Sequence, residues 1–161
     1  MAVDMFIKIG DIKGESTDDK HKNEIDVLSW SWGASQSGTS GIGGGGGAGK
    51  VQIQDLTLTK YIDKASPTLF RMCCDGTHIP TAVLTVRKAG GSALEYLKIS
   101  LDTALVTSIS TGGSGGQDRL TENVTLNFAK IKVEYTPQTA KGAGDAAVTG
   151  GWDISANKPW A

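Results

Sequence analysis

Three stretches of this chain have residue types and spacings that suggest chemistry. Gly44 to Lys50 reads G-G-G-G-A-G-K, the opening of the phosphate-binding loop G-x-x-x-x-G-K-[ST]. Val51 stands where the Mg²⁺-binding hydroxyl belongs, and the residues that follow, VQIQDLTLT, alternate like a strand. No helix N-terminus would then face a phosphate. Gly112 to Gly116 reads G-G-S-G-G, which satisfies the nucleophile pattern G-x-S-x-G with Ser114. That elbow needs a helix after it, whereas LTENVTLNF is strand-like, and no histidine occurs beyond His78. The third stretch is the adjacent pair Cys73 and Cys74. Zinc sites use spaced cysteines or histidine partners, and only His21 and His78 are present, so two reduced thiols are expected. His21 follows Asp18, Asp19 and Lys20 in a polar turn and is expected to be solvated. His78 lies just past an expected helix end, and the Asn123 sequon falls in an expected strand. No catalytic, cofactor-binding or metal-binding residue is assigned and no cofactor is expected. A serine hydrolase using Ser114 stands as the enzymatic alternative, and a ring-forming adhesin or chaperone as another.

The elements that would position these residues are mostly strands. Val3, Met5, Ile7 and Ile9 share one face. Leu97, Ile99, Leu101, Leu105 and Ile109 form a second apolar row in a run longer than an ordinary strand, so it is expected to bend or serve two sheets. Between Leu120 and Tyr135 the apolar positions switch from even (Val124, Leu126, Phe128) to odd (Ile131, Val133, Tyr135). A bulge or sheet corner is expected near Ala129 or Lys130. Val51 and Ile53, followed by Leu56 and Leu58, slip in the same way, and repeated slips suit a closed or strongly curved sheet. One helix is signalled by Ser66 as cap, Pro67 at its first position and Gly76 at its end, with Leu69, Phe70, Cys73 and Cys74 as its apolar face. Gly38 to Gly49, Gly112 to Gly116 and Ala140 to Gly151 read as pliable loops.

Composition narrows the function classes. The 161 residues suit one domain, and 39% hydrophobic with 20% charged residues is enough for a core. The 16 Lys+Arg against 17 Asp+Glu give a net charge of −1, without the basic excess of a nucleic-acid or anionic-membrane binder. No apolar run approaches the roughly 18 residues that span a bilayer. Asp4 and Lys8 interrupt the first apolar stretch, so no cleaved signal peptide is expected and the chain is expected to be soluble and made in the cytoplasm. The 22 glycines are about twice ordinary usage.

With no chemistry evident, the surface becomes the candidate product. In IDVLSWSWG, Leu28, Trp30 and Trp32 are expected to face the core, leaving Ser29, Ser31 and Gly33 outward. Such a small, hydroxylated face suits either ordinary solvent or an aqueous channel that cargo crosses without sticking. Ile42, alone among glycines, is a plausible docking anchor.

The chain resembles the haemolysin-coregulated protein family, the tube subunits of bacterial type VI secretion. The resemblance rests on MAVDMFIKIGDIKGES, IDVLSWSWG, GGGGGAGKV, TKYIDKASP and STGGSGGQDRLTENVTLNF, in that order, and is weaker after Pro137. It implies a mainly-β, single-domain β-barrel over residues 1–161, of two curved antiparallel sheets with one short flanking α-helix and long Gly-rich loops. It further implies a non-enzymatic protein whose hexameric rings stack inside a contractile sheath behind a valine-glycine-repeat spike. Such a protein leaves the cytoplasm without a cleaved signal, carries small effectors in the ring lumen, and neither binds nucleic acid nor inserts in a membrane. Transferred to this sequence, Ser29 and Ser31 become lumen residues, and Ile42, Gly43, Gly44, Gly45, Gly46, Gly47 and Lys50 the ring-stacking loop.

Overall fold

The computed structural model describes residues 2–38, 49–89, 93–139 and 144–160. In chain order the strands are β1 (Val3–Ile9), β2 (Ile25–Asp26), β3 (Ser29–Ser31), β4 (Ala34–Ser35), β5 (Gln52–Ile53) and β6 (Leu56–Tyr61). After helix α1 (Ser66–Asp75) come β7 (Ile79–Lys88), β8 (Glu95–Thr111), β9 (Thr121–Tyr135), β10 (Val148–Asp153) and β11 (Lys158–Pro159). Nine strands form one antiparallel sheet, running β11-β10-β9-β8-β7-β1-β2, with β6 also on β9 and β3 on β6. β4 and β5 form a second, two-stranded sheet. The segment 25–31 joins the margins of the large sheet. Ile25 pairs with Ile7 on β1, the Leu28 N–H donates to the Thr59 carbonyl at 2.8 Å, and Ser29 pairs with Thr59 on β6.

The phase slip in β9 is a corner shared by two strands. Asp102 pairs with Lys130 and Ala104 with Phe128, so Thr103 and Ala129 are both skipped. Thr103 takes the left-handed φ of +52° that this requires. β9 runs beside β6 from Thr121 to Leu126 and beside β10 from Lys130 to Tyr135, so one strand serves two neighbours. The corner also reverses the inward face of β8. Leu101 is buried before the corner, and Ala104 and Val106 after it. Leu105 therefore does not continue the inner row predicted for it. It stands opposite Asn127 instead.

Helix α1 starts with Pro67 in its first turn and ends at Gly76, whose φ of +68° lets its N–H reach the Met72 carbonyl at 3.0 Å. Ala65, not Ser66, holds the N-cap position, and no side chain caps it. Ser66 is buried and used elsewhere: its hydroxyl donates to Glu122 at 2.5 Å and accepts from Lys60 Nζ at 3.2 Å. The predicted apolar face is narrower than four residues. Leu69 is buried, but Phe70 is 59% exposed and Cys74 is also exposed. Neighbouring positions on a helix lie about 100° apart, so each i+1 residue turns off the packed stripe.

Lys60 is the most surprising core residue, at 0% exposure. It pairs with Glu122 directly across the β6–β9 ladder and with Asp63 at 3.0 Å. Asp63 Oδ1 also accepts the Ala65 N–H at 2.9 Å, so the ion pair fixes the turn into α1 as well as the sheet. At the other end of the chain, Gly150 and Gly151 belong to β10 rather than to a loop. A Cβ on Gly151 would lie 1.9 Å from the Trp160 carbonyl oxygen, so only glycine lets the C-terminal strand close on β10.

Residues 10–24 form a strap between β1 and β2. Its backbone is stitched by Gly14 N–H to Asn23 O at 2.8 Å, Asn23 N–H to Ser16 O at 2.9 Å and Ser16 N–H to Glu24 O at 3.0 Å. His21 is 8% exposed rather than solvated, because its ring stacks on Phe6 at 4.6 Å with 9° between planes. Arg87 of β7 grips the strap through Asp18, with bonds of 3.0 and 2.6 Å, and reaches Asp4 at 3.2 Å. The guanidinium holds the Asp18 carboxyl down at about 2. A carboxyl depressed on folding contributes stability above its ordinary value and loses it as pH falls through the folded one. Acid unfolding followed by circular dichroism is therefore expected to steepen between about pH 4 and pH 2. Asp18→Asn should be less stable at neutral pH and show a flatter profile across that window.

Candidate functional site

A run of chemically uniform surface lies on the outer face of β3, β6, β9 and β8. Alternate side chains go inward: Trp30 of β3 packs on the core, Leu56, Leu58, Val124 and Leu126 are buried, and on β8 a bulge between Val106 and Ser108 turns Ile109 inward. The residues between them must face out. Register then aligns them in two rows. Ser29 pairs with Thr59, Thr59 with Asn123, and Asn123 with Ser110. Ser31 pairs with Thr57, Thr57 with Thr125, and Thr125 with Ser108. Every member of both rows is a small, uncharged hydroxyl or amide residue.

The rows are tied together as well as aligned. Thr59 Oγ1 donates to Asn123 Oδ1 at 2.7 Å, and the Thr57 and Thr125 hydroxyls lie 3.3 Å apart. At one flank Asp55 accepts from Thr107 at 3.1 Å and from Asn127 at 2.9 Å, so the nearest carboxylate is itself hydrogen-bonded. The charges of Lys60 and Glu122 are turned into the core. What the wall offers is hydrogen bonding without a fixed charge or a large apolar anchor, which favours weak, unselective contact over tight recognition.

Ser29 and Ser31 are both exposed on β3, as read from the sequence. Leu28 differs: at 39% exposure it is not a core residue, because the chain crosses there from β1 to β6. Lys50 is exposed, ahead of β5. Ile42 and Gly43 to Gly47 lie outside the described residues. Thr57, Thr59, Asn123 and Thr125 escaped the sequence reading as site residues. The alternation of LTLTKY and TENVTLNF shows that they face out, but only the register shows that they meet the serines.

The rejected motifs keep their structural explanation. The chain after Lys50 enters β5 rather than a helix, and the loop bearing Ser114 enters β9. Ser114 closes a turn, its carbonyl accepting the Gln117 N–H at 3.2 Å. His21 is engaged with Glu24 at 2.9 Å and Glu95 at 2.6 Å. Among the described residues no cluster of three or more His, Cys, Asp or Glu side chains is placed to hold a metal. No described helix is long and apolar enough to cross a membrane.

Residues 6–135 match the family described as "Type VI secretion system effector, Hcp". The chain is 66% identical over 159 residues to protein hcp1 of Pseudomonas aeruginosa, covering 98% of each. Its fold matches a structure described as a type six secretion system protein, with TM-score 0.93 and 33% identity over 99% of this chain and 100% of that one. It also matches Hcp1 from Salmonella typhimurium, with TM-score 0.82 and 44% identity over 99% of this chain and 100% of that one.

Proposed function

The chain belongs to the Hcp family of type VI secretion, and from that premise we propose that its copies close into hexameric rings with the Ser/Thr wall facing the bore. Hcp proteins are secreted structural components of the type VI tube, not enzymes, and they assemble with their own kind. In this reading the whole of residues 1–161 is one tube domain. Rings stack through the Gly-rich loop, with Ile42, Gly43 to Gly47 and Lys50 at the junction. The tube is driven out by the sheath behind a valine-glycine-repeat spike and carries small effectors in its lumen.

The observation that carries the lumen assignment is the pair of uncharged rows from Ser29 to Ser110 and from Ser31 to Ser108. A bore must hold a folded cargo and then release it, and a wall that binds weakly everywhere suits both demands. Ser31→Gln tests it. Light scattering is expected to give six times the 16.8 kDa chain mass for parent and variant alike. The longer side chain would protrude into the bore, so effector co-purifying with the ring should fall about tenfold, as for the loss of one well-placed contact of about 1.4 kcal/mol. Unchanged cargo on an intact Ser31→Gln ring refutes the lumen assignment. A chain that stays monomeric at high concentration refutes the ring.

A further inference from the structure

Two ionic ties hold the strap 10–24 to the sheet, and they depend on opposite protonation changes. We propose that His21 is a pH-sensitive latch: its doubly protonated ring clamps Glu24 of the strap and Glu95 of β8 together, and loss of a proton leaves one of the two carboxylates without a donor and so weakens the clamp. Nδ1 faces Glu24 Oε2 at 2.9 Å and Nε2 faces Glu95 Oε1 at 2.6 Å. A carboxylate only accepts and a neutral imidazole carries one N–H, so both contacts are hydrogen bonds only when both nitrogens are protonated. The stack on Phe6 fixes the ring between these two partners.

The surrounding charges agree. Glu24 lies on the strap itself and Glu95 on β8. From the strap, the Asp18 carboxylate also accepts the His21 backbone N–H at 3.1 Å. The nearest opposing cation on the sheet is Arg87 of β7, 5.1 Å over the Phe6 ring, and Asp18 and Asp4 of β1 already neutralise it. Lys20 and Lys22 flank His21 in the chain and are exposed. Both contacts need the doubly protonated ring, so proton binding favours the latched form and the latch weakens as pH rises. The Asp18–Arg87 tie survives that change, so the opening is confined to the strap's end. That end leads directly into Ile25 and the segment 25–31, which joins β1 to β6. The latch is thus a local switch next to Ser29 and Ser31, and it stands whether or not those serines line a bore.

Amide hydrogen exchange by NMR on the full chain, with protection corrected for the intrinsic pH effect, tests this at pH 5.5 and 8.5. The informative amides are Asn23, bonded to Ser16 O, and Glu24, bonded to His21 O at 3.1 Å. Their protection, relative to core β8 amides, should fall about tenfold at the higher pH, the effect of one charge-assisted bond. His21→Gln should show no such change. Glu95→Gln keeps the stacked ring and should reduce the change, which covers the case in which the histidine variant folds poorly. The ring nitrogens of the parent should both give protonated-type ¹⁵N shifts at pH 5.5. Equal protection at the two pH values, or the same fall in Glu95→Gln as in the parent, overturns the latch.

Discussion

Lys60→Met should lower stability by about 3–5 kcal/mol, the usual effect of leaving one member of a buried ion pair alone. Lys60 is 0% exposed and Glu122 2%, so no solvent would replace the lost ammonium. Glu122 would retain the Ser66 hydroxyl at 2.5 Å, which is too little for a buried carboxylate. For a chain of this length the thermal midpoint should fall by about 10 °C, measurable by calorimetry. The double variant Lys60→Met/Glu122→Leu should recover most of that loss, because well-packed apolar replacements for a buried pair are often neutral or better. Recovery would mean that the pair contributes specificity rather than net stability. It would hold β6 in register on β9, and with it Thr57 and Thr59 in the rows that contain Ser31 and Ser29.

Alternation and turn chemistry made much of this architecture legible. The switch from Phe128 to Ile131 marked a real corner, because the burial of a strand's face is written into every second residue. Pro67 and Gly76 marked both ends of the helix, because each has a backbone preference of its own. What escaped were features set by partners distant in sequence. Nothing local in TKYIDKASP marks Lys60 as a core residue, yet it is buried because Glu122 lies opposite it on a strand some sixty residues away. DDKHK reads as a solvated turn, yet His21 is buried because Phe6 and Glu95 supply a stack and a carboxylate. Leu105 was misplaced for a related reason. The left-handed Thr103 flips the inward face of β8 at a position that no apolar pattern in that strand announces. The candidate site was half visible in the same sense. Ser29, Ser31, Ser108 and Ser110 could be placed outward, but the Thr57, Thr59, Asn123 and Thr125 that join them into rows depended on register.

Gly14→Ala is the second large expected effect, and it probes the strap from its backbone side. A Cβ on Gly14 would lie 2.4 Å from the Glu24 carbonyl oxygen and 2.8 Å from Ile25 Cα. Both are backbone atoms, so no side chain can rotate away to make room. Ile25 is fully buried and paired with Ile7, so the strap is the part that must move. Its departure would stretch the 2.8 Å bond from Gly14 N–H to Asn23 O and draw Ile25 from the core. Overpacking of this kind costs about 3 kcal/mol, at the upper end of its usual range. Gly112→Ala is the matched control: nothing lies within 4 Å of its Cβ, so its denaturant midpoint should stay close to the parent's. Because the strap leads straight into β2 and β3, Gly14→Ala should also loosen Ser29 and Ser31 from Thr59 and Thr57. Ring mass at low protein concentration should then fall in Gly14→Ala but not in Gly112→Ala. If both variants matched the parent in midpoint and mass, the strap would be dispensable to the join between β1 and β6, and the coupling of strap to wall would be wrong.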